Sequence, residues 1–384
     1  MRRVAVIGVG ITKFGKHDRT SGELFAEAAA EAIVDAEIGA GEIQSLYYGN
    51  VTGGESERQL HTSPLAATLL GLPTIPTTRV ENACATSHAA FRHAVMEIGS
   101  GVSDIVLVGG AERILHVPTD AATEYFAYCS DASFEQPAGL TFPGVFALIA
   151  RAHMDKYGTT EEQMAHVAVK NHRHGALNPK AQFRKEITLD MVLKSAYVAD
   201  PLKLFDCCPF TDGGAAVVLA AEDVARPRRR AVWVLGTQAA SDTMFLHDKR
   251  DLARVTATER AAQGAYRQAG KTPGDVQVAE LHDCFTIAEI VATEGLGFFE
   301  PGTGGLAAEK GWTSLGGKIP VNPSGGLKAK GHPIGATGAA QIGEIVTQLR
   351  GEAGARQVDG AATGLVHTLG GNTATVLVSL FGRD

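Results

Sequence analysis

Short, continuously apolar runs alternate along this chain with longer segments whose apolar residues recur at helical spacing. Such runs are typical of strands buried on both faces of a sheet, and the longer segments are typical of the helices that cover them. In the first half the predicted elements are strands at 4–8, 45–49, 104–110 and 215–220, with helices at 21–36 and directly after residue 84. In the second half they are strands at 231–236, 276–281, 361–366 and 374–380, with helices at 258–269 and 336–349. We therefore predict an α/β protein.

The order of elements is the same in both halves, which indicates an internal duplication. A charged stretch that contains a proline, Ala225–Arg230, separates the halves, so we predict domains at residues 1–226 and 227–384. A long insertion, at about residues 111–210, interrupts the first half. If the halves pack together, equivalent turns in the two halves should face each other.

One such turn ends at Cys84, just before an apolar helical run. Backbone N–H groups and the helix dipole at that position favour a thiolate, which is the nucleophilic form of cysteine. Cys84 is therefore a candidate nucleophile. The alternative is a cysteine that only packs in the interior.

The equivalent turn of the second half is rich in glycine and contains His332 directly before Pro333. A histidine there can exchange a proton with the thiol. The alternative is a tight packing turn with a solvent-exposed histidine.

Two further strand ends carry reactive side chains: His282 and Cys284 after one strand, and His367 after another. Functional groups in open α/β sheets gather beyond the carboxyl ends of strands. Zinc binding is an alternative use of these residues, but the cysteines lack the usual spacing of zinc ligands, so we predict no metal site. We interpret the other cysteines, Cys129, Cys207 and Cys208, as structural.

Composition narrows the classes of partner and compartment. The formal net charge of −7 gives no general attraction for nucleic acid, and an anionic substrate would need a local basic patch. No apolar run approaches the roughly 20 residues that span a bilayer, and no secretory signal is visible. The chain also has five irregularly spaced cysteines. Together, these observations predict a cytoplasmic protein with reduced thiols and no membrane partner.

Four motifs in order along the chain resemble those of the thiolase superfamily, in particular its sterol-carrier-protein-type and archaeal-type branch. They are Asn82–Thr86, Cys207–Gly214, His282–Phe285 and, most specifically, Gly331–Gly338. The resemblance covers nearly the whole chain. It implies two duplicated five-stranded α/β halves stacked as a five-layer αβαβα sandwich, and an acyl-CoA C-acyltransferase that performs thiolysis or Claisen condensation.

The resemblance also implies roles for individual residues. Cys84 attacks the acyl-CoA thioester and carries the acyl group, while His332 assists its deprotonation. The backbone N–H of Cys84, with that of Leu369 or Gly370, stabilises the tetrahedral oxyanion. His332 and His282 donate to the enolate oxygen that forms during condensation.

The identity of the base that removes the α-proton stays open. The commonest thiolase pattern has a C-terminal Cys-x-Gly-Gly motif, and this chain has His367 there. In the related branch the cysteine of the His-Asp-Cys-Phe motif takes over, which points to Cys284. The family's acyl-pocket loop corresponds to Thr141–Gly144, so no acyl-chain preference is implied.

By the same analogy, a coenzyme A thioester is a substrate, and no cofactor is permanently bound. Ser324 and Gly325 would line its pantetheine arm, and Lys328 and Lys330 are candidates for its phosphates. The alternative for these lysines is a solvated surface position.

The resemblance further implies a homodimer or a dimer of dimers, a place in lipid metabolism and, for archaeal-type relatives, a small OB-fold partner protein. Three other functions stay open: acyl transfer to a non-CoA carbon acceptor, a retro-aldolase activity, and a non-catalytic subunit. Retro-aldolase relatives lack the nucleophilic cysteine, so Cys84 argues against that activity.

Overall fold

The computed structural model describes residues 2–383, which contain eleven strands and fourteen helices. The strands are β1 Val4–Ile11, β2 Ser45–Gly49, β3 Thr77–Val80, β4 Ile105–Glu112, β5 Tyr197–Ala199, β6 Leu202–Lys203, β7 Gly213–Ala221, β8 Val232–Ser241, β9 Val278–Glu280, β10 Thr363–Gly370 and β11 Thr375–Gly382. The helices are α1 Ser21–Asp35, α2 Gly53–Ser56, α3 Thr62–Leu69, α4 Thr86–Ser100, α5 Thr119–Ala127, α6 Phe142–Tyr157, α7 Glu161–Ala176, α8 Leu189–Leu193, α9 Glu222–Ala225, α10 Thr256–Ala269, α11 Thr286–Gly295, α12 Gly304–Glu309, α13 Gly326–Ala329 and α14 Thr337–Arg350.

Nine strands form one mixed sheet in the order β3-β2-β4-β7-β1-β8-β11-β10-β9. The first five belong to the first half of the chain and the last four to the second. Within the sheet, the strands of the two halves are joined by a short antiparallel pairing of β1 with β8, at Ala5–Trp233 and Val6–Val232. The sheet is therefore continuous across the two halves.

The strand order confirms the duplication. In the first half, β2 runs parallel to β3 and β4, and β7 pairs antiparallel with β4 and β1. In the second half, β9 runs parallel to β10, and β11 pairs antiparallel with β10 and β8. The position equivalent to β3 is held by a single parallel bridge between Ala279 and Val321, so the expected fifth strand is reduced to one pair.

The helices α4 and α14 pack against each other and contact strands of both halves. Their apolar side chains share one core with residues of both half-sheets, including Val6, Phe91, Ile342, Val366 and Phe381. The outer face of the first half is covered by α1 and α3, and that of the second by α10 and α11. These are the five layers, and the predicted αβαβα sandwich is confirmed.

The predicted insertion is confirmed as the segment between β4 and β7, which carries α5 to α8 and the β5–β6 ribbon. Its long helix α7 contacts α11, α12 and α13 of the second half, so the insertion spans both halves. No helix within residues 2–383 combines the length and the apolar character that crossing a membrane requires.

Candidate active site

Cys84 lies in a tight turn between β3 and α4. Ala83 has φ 46°, a left-handed conformation that is uncommon for residues with a side chain and is found mostly in turns and at functional sites. The Thr86 hydroxyl donates to the Ala83 carbonyl at 2.6 Å and accepts from the Asn82 N–H at 2.8 Å. The turn therefore holds Cys84 in place just before the first turn of α4.

His332 is held from two sides. Its backbone N–H donates to the Thr211 hydroxyl at 2.9 Å, and its Nδ1 lies 2.7 Å from the Thr337 hydroxyl oxygen. Because the Thr337 hydroxyl donates its own proton to the Pro333 carbonyl at 3.0 Å, its oxygen can only accept from Nδ1–H. The tautomer assigned by this network leaves a lone pair on Nε2 of His332.

Cys84, His282 and His332 converge as predicted. One ligand atom from each, Sγ or a ring nitrogen, lies within 4.8 Å of the other two. The two imidazole rings are 5.0 Å apart and nearly perpendicular. His282 is fully buried, and neither of its ring nitrogens has a hydrogen-bond partner among the described residues. His282 therefore has unused hydrogen-bonding capacity beside Cys84 and His332.

Burial favours the neutral forms of the site residues, whereas the sequence pattern favoured a thiolate at Cys84. Burial raises the pKa of the Cys84 thiol well above its ordinary value, and the N–H groups of Gly371 and Cys84 itself offset this only in part. Burial also lowers the pKa of His332 to about 3 and that of His282 well below its ordinary value. The cost of removing charge from water outweighs the helix N-terminus.

The two candidate bases occupy different positions. Cys284 is buried, and the neighbouring Cys208 and Cys84 contribute to its raised pKa, although burial is the main cause. His367 lies within β10 rather than after it, because the pairing with β11 continues to Gly370. Its Nε2 lies 3.1 Å from the Thr258 hydroxyl, its Nδ1 has no partner among the described residues, and burial lowers its pKa to about 3.

A cavity of about 290 Å³ lies beside four of the predicted site residues. Cys84, Cys284, His332 and Leu369 contribute to its wall. Much of the remaining wall is aromatic, and the rings belong to Phe126, Phe142, Phe146, Phe210 and Phe285. An apolar cavity with a few convergent polar groups is typical of a small-molecule site.

The three cysteines that we interpreted as structural also line this cavity, so Cys129, Cys207 and Cys208 belong to the site. Their spacing in the sequence gives no sign of this. The insertion and the turn before β7 bring them to the cavity, which is a tertiary effect. The one sequence feature that pointed to this region was the resemblance of Cys207–Gly214 to a family motif.

The predicted oxyanion donors lie beside Cys84 with one difference in detail. Leu369 lines the cavity, and Gly370 packs against the turn, where a Cβ would lie 2.6 Å from the Asn82 carbonyl oxygen. The N–H of this segment that lowers the pKa of the Cys84 thiol belongs to the next residue, Gly371. Gly371 has φ 59°, so the chain turns sharply at this position.

The structure does not bring the four predicted coenzyme A contacts to the cavity wall. The Lys328 ammonium donates to the Cys207 carbonyl at 2.7 Å, and Lys330 pairs with Glu280 at 3.2 Å. The Ser324 hydroxyl also donates to Glu280, at 2.7 Å. Both lysines are at most 3% exposed, and Gly325 is buried as well. The charges of both lysines are thus used inside the protein, and their predicted contact with phosphate stays a prediction.

Within residues 2–383, Cys84, His282 and His332 are the one group of histidine, cysteine or acidic side chains close enough to hold a metal ion. Thiolate and imidazole are zinc ligands, so the donor types are suitable. The same three groups are also suited to acyl transfer, and the prediction of no metal site stays a prediction.

Comparisons with known proteins place this geometry in a family. Residues 4–223 match the family described as "Thiolase, N-terminal domain", and residues 238–383 match "Thiolase C-terminal domain-like". The chain is 48% identical to the acetyl-CoA acetyltransferase of Methanothermobacter thermautotrophicus, with both chains covered completely. It is 36% identical to human sterol carrier protein 2, over 98% of this chain and 71% of that protein.

Two solved structures are also similar. The structure described as "Ltp2-ChsH2(DUF35) aldolase" has a TM-score of 0.86 and 27% identity, covering 100% of this chain and 98% of the other. A monomeric SCP2-thiolase-like protein from Mycobacterium smegmatis has a TM-score of 0.76 at 20% identity, covering 99% of this chain and 77% of that chain, a likeness of fold alone. The duplicated sandwich, the four motifs and these matches agree, and the chain belongs to the thiolase family.

Proposed function

We propose that this protein is an acyl-CoA C-acyltransferase that takes acetyl-CoA as an acyl donor and runs thiolysis or Claisen condensation through an acyl-Cys84 intermediate. The observation that carries the proposal is that Sγ of Cys84 and a ring nitrogen of His332 lie within 4.8 Å of each other, at the wall of an apolar cavity. The name of the Methanothermobacter relative supports the same activity.

The acylation step follows from this geometry. Sγ of Cys84 attacks the thioester carbonyl carbon while its proton passes to Nε2 of His332. The tetrahedral oxyanion accepts hydrogen bonds from backbone N–H groups at Cys84 and at the end of β10. The carbon–sulfur bond to coenzyme A then breaks, the leaving thiolate takes the proton from His332, and the acyl group stays on Cys84.

Neutral groups suit this step. A neutral His332 is able to accept the thiol proton. The imidazolium that forms lies next to Cys84, which releases the proton, and next to the coenzyme A sulfur, which later receives that proton. The apolar wall excludes water that would otherwise hydrolyse the acyl-enzyme.

For condensation, we assign the α-proton base to Cys284 and keep His367 as the alternative. The position of Cys284 in the cavity wall supports this, whereas His367 lies behind the wall and faces Thr258. To act as a base, Cys284 first passes its thiol proton to Nε2 of His332, and the resulting thiolate then removes the α-proton. We assign stabilisation of the enolate oxygen to the N–H groups of this protonated His332 and of His282. Condensation of acyl units would place the protein in lipid metabolism.

Coenzyme A acts here as part of the substrate, without a permanently bound cofactor. We propose a homodimer, because β3 ends the sheet as a short edge strand whose backbone is open to pairing with a second copy. We also propose a small partner protein, since the name of the similar aldolase joins Ltp2 to a second component, ChsH2(DUF35). A cytoplasmic location is consistent with five free cysteines.

Incubation with acetyl-CoA tests the proposal. Intact-protein mass spectrometry should show one added acetyl group, and peptide mapping should place it on Cys84. The matched variant Cys84→Ala should gain none. A folded wild-type protein that gains no acetyl group would refute acyl transfer through Cys84.

The same preparation identifies the base. Cys284→Ala should still accept the acetyl group but should no longer exchange the α-protons of acetyl-CoA with deuterated water. Unchanged exchange in Cys284→Ala, with loss in His367→Ala, would assign the base to His367.

The aldolase structure favours one second candidate, a retro-aldolase that cleaves a carbon–carbon bond without an acyl-enzyme. Carbon–carbon cleavage that survives in Cys84→Ala would support this candidate. Cleavage that requires both Cys84 and free coenzyme A would support thiolysis.

A further inference from the structure

Glu112, at the end of β4, has no role in the chemistry above, yet it is completely buried. Its carboxylate accepts five hydrogen bonds. Oε1 accepts from the Asn50 side-chain amide at 3.1 Å, the Thr52 N–H at 3.0 Å and the Thr52 hydroxyl at 2.8 Å. Oε2 accepts from the Val51 N–H at 3.1 Å and the Gly335 N–H at 3.0 Å.

These donors come from both halves of the molecule. Asn50, Val51 and Thr52 form the loop after β2, in the first half. Gly335 belongs to the second half and lies three residues after His332 in the same glycine-rich turn. The two oxygens of one carboxylate therefore join the first half to the turn that carries His332.

The backbones of the two halves lie so close together around Gly335 that a side chain on this residue would not fit. A Cβ on Gly335 would lie 2.7 Å from the carbonyl oxygens of both Ala111 and Gly49. A Cβ on Gly110 would lie 2.1 Å from the Gly335 carbonyl oxygen. The backbones of the two halves meet here almost directly, and Glu112 reaches into this contact from the end of β4.

Burying the carboxylate of Glu112 in this way costs free energy. Burial raises the pKa of Glu112 to about 7, even though the hydrogen bonds from Thr52, Val51 and Gly335 lower it. The charge of Glu112 also contributes to the raised pKa values of the neighbouring Tyr48 and Cys129. A buried carboxylate is a poor way to add stability, since an apolar side chain of similar size is often as stable.

We propose that Glu112 is a positioning residue that fastens the Gly331–Gly338 turn to the first half and so sets the position of His332 relative to Cys84. This rests on the proposed function, because the distance matters for acyl transfer. Cys84 and His332 come from different halves, and the direct sheet pairing between the halves is only two residue pairs long. A small shift at Gly335 would therefore separate the thiol from its proton acceptor.

The substitution Glu112→Gln tests the proposal with little change in shape. With its oxygen in the position of Oε1, glutamine keeps the three hydrogen bonds from Asn50 and Thr52. Its NH₂ group then faces the N–H groups of Val51 and Gly335, so donor meets donor and the link to the second half is lost. Thr52→Val is the matched control, because it removes one hydrogen bond to Oε1 and leaves Gly335 untouched.

Two measurements are made on both variants and the wild type. In hydrogen–deuterium exchange, amides of the 331–338 segment should exchange at least about 10-fold faster in Glu112→Gln and at the wild-type rate in Thr52→Val. In single-turnover acetylation of Cys84, Glu112→Gln should be about 10- to 100-fold slower at saturating acetyl-CoA, with KM within about 3-fold of wild type. Thr52→Val should retain the wild-type rate even if its melting temperature falls equally.

Wild-type protection and a wild-type acetylation rate in Glu112→Gln would overturn the proposal, as would an equal loss of rate in both variants. If Glu112→Gln does not fold, Glu112→Asp is compared in the same way, since it keeps the charge but is too short to reach both loops. The exchange measurement needs no activity, so it tests the link even if wild-type Cys84 accepts no acetyl group. A wild-type Cys84 that accepts no acetyl group would refute the proposed function but not the link through Glu112.

Discussion

At the scale of single residues, reactivity at Cys84 is set by burial and by its neighbour His332. A thiolate–imidazolium pair is the usual way to activate a cysteine beside a histidine. Here burial stabilises the neutral form of both groups, so the proton moves only when the substrate arrives. The helix N-terminus then assists the developing thiolate without creating it beforehand.

This resting state predicts the pH dependence of Cys84 alkylation. Because burial places the pKa of the thiol well above 9.0, the rate of reaction with iodoacetamide should rise continuously from pH 6 to pH 9. Peptide mapping should be used to follow Cys84 separately from the other four cysteines. A rate that is already level between pH 6 and pH 8 would show a preformed ion pair and contradict the neutral site.

At the scale of elements, the central layer depends on close contact between α4 and α14. Gly338, in the first turn of α14, lies against the backbone of His88 in α4, and a Cβ there would lie 2.5 Å from the His88 nitrogen. His88 is itself fixed, with its ring nitrogens 2.8 Å from the Thr368 hydroxyl and 2.7 Å from the Ser379 hydroxyl. Neither helix has a flexible side chain at this point that could move aside.

Gly338→Ala should therefore destabilise the protein by about 1–3 kcal/mol, despite the better helix propensity of alanine. The control is Gly264→Ala in α10, where the nearest neighbour is the side chain of Gln238 at 3.1 Å, which can rotate away. That variant should be neutral or up to about 1 kcal/mol more stable. Urea unfolding measures the stability of both variants. Equal unfolding midpoints would show that α4 and α14 shift to accommodate the added methyl group, which would contradict the prediction.

At the scale of the whole molecule, burying the site along the seam between two duplicated halves removes many titratable groups from water. Six histidines have pKa values lowered mainly by burial: His88, His172, His174, His282, His332 and His367. Four buried carboxylates have raised pKa values: Glu112, Asp206, Glu280 and Asp283. Burial thus favours the neutral form of these six histidines and of these four carboxylates.

Stability should fall as the pH falls from 6.5 towards 3. In that range the unfolded chain protonates these histidines while the folded chain does not, so the unfolded state binds more protons and gains stability. The four carboxylates act in the opposite direction between about pH 4 and pH 7, but they are fewer. Urea midpoints at pH 7, 6, 5 and 4 measure the effect, and a midpoint that stays constant or rises toward pH 4 would contradict it.

Much of this architecture follows from local pattern. The predicted strands and helices all form, because continuous apolar runs and helical spacing dictate which faces must be buried. The duplication placed Cys84 and His332 opposite each other, and His282 joined them because it follows a strand. Patterns of this kind depend on residues that are near one another in the chain, so a sequence contains them in full.

Tertiary structure alone decided the charge and the contacts of each site residue. The lysines of the glycine-rich turn look like surface groups, but Glu280 draws Lys330 into the interior. Cys129 and Cys208 reach the cavity only through the folded insertion, and Glu112 meets Gly335 across 223 positions of sequence. By itself, the sequence determined which chemical groups are present and on which elements they lie. Only the packing of the two halves set their burial, and with it their protonation and their partners, because the cost of removing a charge from water depends on everything that surrounds it.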